Sequence, residues 1–208
     1  VKYANRTAFQ IRNGKDTFRN ITYAQLKELY YGLCTKFIEM GYLGKKIAVI
    51  GANSFEWALS YLCAATVGVA VPIDKELQAE DVRDFFDSAE CVAVCTDNEK
   101  IEVLKNVVTR EINYIPFDTI EKLANEKCDT ALVDSIEIGK DEMRILIFTS
   151  GTTSKSKAVM LSQKNICSNI SGLNEWETFY PTDVNMAILP LHHAFGMVQV
   201  VLFISTGV

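Results

Sequence analysis

Hydrophobic positions along the chain fall into short runs that switch between a period of two and a period near 3.6. Residues 8–11 and 18–21, with Asn13-Gly14 between them, read as a β-hairpin. Thr22 then reads as a helix N-cap, and Gln25 three residues on completes a capping box. Leu26, Leu29, Tyr30, Leu33, Phe37 and Met40 repeat at helical spacing, and Gly41 sits at the expected stop. Such a stripe predicts core packing. Residues 46–51 form an apolar strand that opens into Asn53-Ser-Phe-Glu56, where Asn53 is expected to cap a helix over 55–67 with Glu56 at its third position. That helix is apolar nearly all round, which predicts burial.

The alternation continues. Residues 69–73 read as a strand, 78–88 as an amphipathic helix buried through Val82, Phe85 and Phe86, 91–95 as a strand and 100–108 as a helix. Residues 113–117 then read as a strand and 120–125 as a helix. Strands separated by helices at intervals of about twenty residues predict successive βαβ units: an α/β fold with a layered, mostly parallel sheet flanked by helices on both faces. Residues 128–142 are polar and acidic and read as a loop leading to the central strand, which divides the chain into 1–128 and 129–208. After that strand comes a second apolar run at 158–161, then a helix over 163–175 capped by Ser162, a turn at Pro181-Thr-Asp183 and a strand over 184–189. The chain opens on Val1 and closes on the apolar run from Met197 to Val208, which reads as a piece of a longer protein.

Composition narrows the classes of function. With 49% hydrophobic and 23% charged residues among 208, the chain has the make-up of an ordinary globular protein with a sizeable core. A net charge of −5 argues against non-specific nucleic-acid binding, so an anionic ligand must be met by local positive groups. No apolar run reaches the roughly 18 residues that span a bilayer, and a cytoplasmic location is expected. Six cysteines lie mostly in apolar, patterned segments and read as buried reduced thiols. Cys91 and Cys95 are expected on one face of their strand.

The densest chemistry lies between the two late apolar runs, in Phe148-Thr-Ser-Gly151-Thr-Thr-Ser-Lys155-Ser-Lys157. Backbone N–H groups and hydroxyls around a glycine can cradle a phosphate, with Lys155 or Lys157 neutralising it. A polar hairpin loop is the plain alternative. No G-x-G-x-x-G follows the strand at 46–51 and no G-x-x-x-x-G-K-[ST] occurs, which leaves NAD binding and a P-loop NTPase without support. A plain Rossmann-type binding domain would still take a ligand at the Gly51 turn. The chain's two histidines fall together in Leu189-Pro-Leu-His192-His193-Ala-Phe195-Gly196, where a strand end meets a helix start. Adjacent side chains on an extended segment point apart, and no carboxylate or thiol is near in sequence, so zinc is not expected there.

The order Phe-Thr-Ser-Gly-Thr-Thr-x-x-x-Lys resembles the ATP-phosphate loop of the adenylate-forming superfamily, which includes acyl-CoA synthetases, aryl-CoA ligases and peptide-synthetase adenylation domains. Seven positions match, and Ser154, Ser156 and Ala158 depart from the family's usual glycine, proline and glycine. The Pro190, His193, Phe195, Gly196 pattern, about thirty-five residues on, resembles the family's next motif. Earlier segments around Thr22, Asn53 and Pro72 resemble its N-terminal strands and helices. The resemblance implies the front of the family's large N-terminal domain. It implies ATP, Mg²⁺ and coenzyme A as cofactors, and a carboxylic acid, first a long-chain fatty acid, as substrate. Thr149, Ser150, Gly151, Thr152, Thr153 and Ser154 would hold phosphates, Lys157 would counter their charge and Thr152 would meet Mg²⁺. His193, Phe195 and Gly196 would line the acid site, with His193 and Lys157 as the catalytic pair and His192 a neighbour. Later family elements, including a C-terminal lysine, lie outside these residues, so this chain alone is expected not to turn over. The full protein is open to peripheral membrane contact. An aryl-CoA ligase or a peptide-synthetase adenylation domain is the alternative within the family, and a non-catalytic nucleotide-binding relative with a drifted phosphate loop is the alternative from another class.

Overall fold

The computed structural model describes residues 2–149 and 157–208. The hairpin forms as expected, with β1 (Thr7–Arg12) antiparallel to β2 (Phe18–Thr22). Helix α1 (Tyr23–Glu39) starts on the expected capping box: Thr22 Oγ1 accepts from Gln25 N at 3.2 Å, and Gln25 Oε1 accepts from Thr22 N at 2.9 Å. Two of the four N–H groups that a helix start leaves unpaired are involved.

The next strands are β3 (Lys46–Ile50), β4 (Val69–Ile73), β5 (Cys91–Thr96), β6 (Asn113–Pro116), β7 (Met143–Thr149) and β8 (Lys157–Ser162). They form one sheet in the order β6-β5-β3-β4-β7-β8. Every neighbouring pair is parallel except β7 and β8. The connecting helices are α2 (Phe55–Val67), α3 (Ala79–Ala89), α4 (Asn98–Lys105), α5 (Phe117–Ala124), α6 (Thr130–Asp134), α7 (Gln163–Trp176) and α8 (Ala194–Thr206). This is the expected α/β sheet.

Both faces of the sheet are buried. Ile47, Val49, Ala70 and Ile145 pack into one core with Leu33, Phe37, Trp57, Ile120 and Met197 from α1, α2, α5 and α8. Ala48, Ile50, Val71 and Leu146 pack into a second with Val82, Phe86 and Leu104 from α3 and α4. The alternation along β3 and β7 serves both cores, which is why these runs are apolar throughout. Among the described residues no helix is long and apolar enough to cross a membrane.

Several local expectations change. The strand at 144–148 is not central: β3 and β4 hold the middle, because β8 folds back beside β7 and takes the edge. The acidic segment 128–142 contains α6, capped by Asp129 Oδ1 accepting from Leu132 N at 3.0 Å. Helix α2 is capped by Ser54, whose Oγ accepts from Trp57 N at 3.0 Å, and not by Asn53. Residues 184–189 join no sheet; Val184 and Ile188 are 87% and 74% exposed. Alternating apolar residues do not make a strand without a partner to share the ladder. A register shift opposite Lys46 and Ile47 turns Cys91 into the second core and Cys95 into the first, so the two thiols lie on opposite faces. Cys128 and Cys167 are exposed, contrary to the buried reading.

Two helix glycines test the packing in opposite directions. A Cβ on Gly32 would stand 1.8 Å from Ala124 O, where α1 crosses the end of α5, whereas a Cβ on Gly172 in α7 meets nothing within 4 Å. Helix propensity alone favours alanine by about 0.5–1 kcal/mol at either position. At Gly32 the overlap wins, and Gly32→Ala is expected to cost roughly 1–3 kcal/mol. Gly172→Ala is expected to stabilise. Urea midpoints at constant m-value give both signs, and two midpoint shifts of the same sign would contradict this packing.

Candidate functional site

The described candidate residues stand at or beyond strand ends and at the start of α8. In β7, Ile145 and Leu146 are buried on opposite faces, and Phe148 stacks on Phe85 of α3 with ring centroids 4.0 Å apart. Phe148, although part of the loop motif, is therefore core. Thr149 emerges next to solvent and pairs with Lys157 across the hairpin, its Oγ1 donating to Lys157 O at 3.3 Å. Lys157 is exposed and has no carboxylate partner among the described residues. Ser150, Gly151, Thr152, Thr153 and Ser154, with Lys155 and Ser156, lie outside the described residues.

Parallel pairing sets what lies beside this hairpin. Ala70 of β4 is opposite Ile145 of β7, and Asp74 and Thr149 each follow that pair by four residues. Both leave the sheet at the same edge. Ile73 of β4 is opposite Ile50 of β3, so the Gly51-Ala-Asn53 turn leaves there too. The His192 segment meets this edge: Asp74 Oδ2 lies 3.6 Å from His192 Nε2. Asn53 donates from Nδ2 to Ala187 O and Leu189 O, both at 2.8 Å, and its Oδ1 accepts from Leu191 N at 3.0 Å.

The histidine segment turns sharply, with His193 N donating to Pro190 O at 3.1 Å. The two rings consequently stand 4.2 Å apart and do not point away from each other as an extended backbone would dictate. His193 occupies the N-cap of α8 without spending its side chain on the cap, and its ring is exposed. Phe195 is 54% exposed beside it. Gly196 is buried: a Cβ there would stand 2.4 Å from Pro190 O, so only glycine lets the first turn of α8 rest on the bend. His192 is largely buried, and its Nε2 has no hydrogen-bond partner. Burial lowers its pKa from the ordinary value, the Asp74 carboxylate opposes that shift, and His193 adds to it.

Other reactive groups are quiet. Burial pushes the Cys91 and Cys95 thiols up to about 12, which keeps them protonated. Among the described residues no three His, Cys, Asp or Glu side chains gather as a metal site. A second crevice lies at the same sheet edge between β3 and β5, lined by Gly51, Lys75, Thr96, Asp97 and Lys100. Its cations are engaged: Lys75 pairs with Glu76 at 3.1 Å, and Lys100 donates to Lys75 O and Leu77 O. Burial, then Glu99, raises the pKa of Asp97 at its mouth. Two carboxylates and spent lysines suit a triphosphate poorly.

Asp74 and Asn53 escaped the sequence reading. Asp74 directly follows an ordinary strand, and its approach to His192 is a contact across the fold. Asn53 carried a misleading signal, since Asn53 and Glu56 have cap spacing; Ser54, an equally good cap, was the clue that Asn53 was free for another task.

The family described as AMP-binding enzyme matches the chain over residues 1–208. Long-chain-fatty-acid–CoA ligase 5 of Rattus norvegicus is 29% identical over 230 residues, covering 94% of this chain and 33% of that protein. The 2-succinylbenzoate–CoA ligase of Bacillus cereus is 28% identical over 199 residues, covering 93% of this chain and 37% of that protein. Among solved structures, ATP-bound MatB from Rhodopseudomonas palustris superposes with a TM-score of 0.79 at 24% identity, covering 91% of this chain and 39% of that one. The chain spans between 33% and 39% of the length of these relatives.

The buried His192 makes stability depend on pH. Its folded pKa lies below the unfolded value of about 6.5. Between those two values the unfolded chain binds more protons, so the full contribution is present above about pH 6.5 and is lost as pH falls toward the folded pKa. Urea midpoints between pH 7.5 and 5.5 are expected to fall more steeply for the wild type than for His192→Gln. Parallel profiles would remove His192 as the cause.

Proposed function

The chain belongs to the AMP-binding enzyme family, and from that premise we propose that it is the ATP-gripping part of an acid–thiol ligase that activates a carboxylic acid as its adenylate. In the first step a carboxylate oxygen attacks the α-phosphorus of ATP, and the bond to the β-phosphate bridge breaks with release of pyrophosphate. In the second, the thiolate of coenzyme A attacks the acyl carbon and AMP leaves. The chemistry needs a group that gathers negative charge at the β- and γ-phosphates and a site that holds the acid beside them.

The hairpin between β7 and β8 supplies the first. Thr149, Ser150, Gly151, Thr152, Thr153 and Ser154 offer hydroxyls and N–H groups to the phosphates, and Lys157 supplies positive charge. Thr152 would hold Mg²⁺, which would supply further positive charge to the phosphates. The second falls to His193 and Phe195, exposed at the start of α8, with Gly196 allowing the helix to start so close to the bend. The observation that carries the reading is the meeting of strand ends: Thr149, Asp74 and the His192–His193 turn share one sheet edge. The family match and the ATP-bound MatB likeness support the same assignment. Against a ligand at the Gly51 turn stand the engaged lysines and the carboxylates of that crevice.

Among acids we favour a long-chain fatty acid, on the likeness to the rat ligase. The Bacillus cereus relative keeps an aryl acid as the alternative.

The test is acid-dependent exchange of labelled pyrophosphate into ATP by the full-length protein, with palmitate and 2-succinylbenzoate compared. Lys157→Ala is expected to lower exchange by about 10²–10³-fold, the range for losing one group that stabilises developing charge. Because Lys157 is exposed, its folding stability should move by no more than about 0.5 kcal/mol. Full exchange by the variant would sink the phosphate role of this lysine.

A further inference from the structure

Residues 184–193 carry the histidines but own no secondary structure to hold them. Their internal backbone bonds are local: Ile188 N to Met186 O at 2.8 Å, and His193 N to Pro190 O at 3.1 Å. Among the described residues, the hydrogen bonds that tie this segment to the sheet all end on one side chain, that of Asn53. The amide uses both faces. Its two N–H donors serve the carbonyls of Ala187 and Leu189, and its oxygen accepts from Leu191 N–H.

That stoichiometry explains the residue. An asparagine side chain has two donors and one acceptor oxygen, an aspartate has acceptors only, and a serine has a single donor. The bonded groups belong to every second residue, 187, 189 and 191, so the amide supplies the partners that a neighbouring strand would otherwise offer that stretch. It does so from the turn after β3, one strand away from Asp74. His192 follows the last bonded residue directly.

We infer that Asn53 is a positioning residue: its amide fixes residues 187–191 against the carboxyl end of β3 and thereby sets where His192 and His193 stand. For the acid site this rests on the reading proposed above, since His193 is placed beside the acid there. The Asp74 contact at 3.6 Å and the neighbouring His193 ring at 4.2 Å are the charged and titratable groups that face His192, and both depend on the same bend. Cap stability of α2 is a separate matter, served by Ser54. The two neighbours can therefore be told apart by mutation.

Hydrogen exchange in the wild-type chain comes first. Leu191 N–H is expected to exchange at least about tenfold more slowly than the amides of Ala187 and Leu189, which have no acceptor among the described residues. The chain has two histidines, both in this segment, so its imidazole NMR signals report on the bend alone. Asn53→Ala is expected to move the His192 ring signals toward those of exposed histidine, to shift those of the adjacent His193 ring, and to remove the protection of Leu191. Asn53→Asp, equal in size but without donors, loses the bonds to Ala187 O and Leu189 O while its carboxylate still accepts from Leu191 N–H; it should displace the ring signals with Leu191 protection kept, and serves if the alanine variant does not fold. Ser54→Ala, which removes the true cap, should leave the ring signals in place. In the full-length protein Asn53→Ala should raise KM for the acid about tenfold or more, the scale of a misplaced substrate group, with KM for ATP within about twofold. A Leu191 amide that exchanges as fast as its neighbours, or equal ring shifts in Asn53→Ala and Ser54→Ala, would overturn the inference. Wild-type protein that shows the NMR pattern but exchanges no pyrophosphate would uphold the clamp and count against the ligase reading instead.

Discussion

Parallel pairing of β3, β4 and β7 is the constraint on which the candidate site depends. Parallel strands share a polarity, so every connection that follows them starts from the same edge of the sheet. Asn53, Asp74 and Thr149 are far apart in sequence, yet each stands just past the end of one of these adjacent strands. The pairing itself is secured by burial on both faces: Val49 and Ile145 lie in one core, Ile50 and Leu146 in the other, all at 6% exposure or less. An apolar run without side preference can only be satisfied this way.

The site is then assembled from groups that the cores leave over. Phe148 is the last side chain of β7 that packs, against Phe85, and Thr149 after it is exposed. On the other side, Met197 roots α8 in the first core, with Val200, Val201 and Ile204 packed against it, while Phe195 and His193 stay outside it. Between these anchors the chain from 184 to 193 has neither a core nor a ladder. It is held instead by one amide and approached by one carboxylate, which concentrates the placement of two histidines on Asn53 and Asp74. Rigid elements thus surround a short irregular bend, an arrangement in which a few hydrogen bonds decide geometry.

Elements with a strong local cause were legible in advance. The capping box at Thr22, the Ser162 cap, the fully apolar α2 and the alternation of strands with helices all follow from neighbours within a few residues. The loop and histidine motifs stood out for the same reason, because their residue types are poorly explained by packing. Where two local signals competed, reading failed. Asn53 and Ser54 are both good caps, and the distant carbonyls of Ala187 and Leu189 decided which one was used. Residues 184–189 have the alternation of a strand, but whether a strand forms depends on a partner, and β8 takes the place beside β7.

Local order of polar and apolar residues was thus enough, by itself, to determine the class of fold, most element positions and the two stretches rich in chemistry. Strand order, the shift that separates Cys91 from Cys95, the burial of His192 beside Asp74 and the grip of Asn53 came only with the tertiary structure. The reason is range. Propensity and periodicity act over one or two turns of chain, whereas a contact between residues 53 and 191 exists only once the sheet has brought two strand ends to one edge.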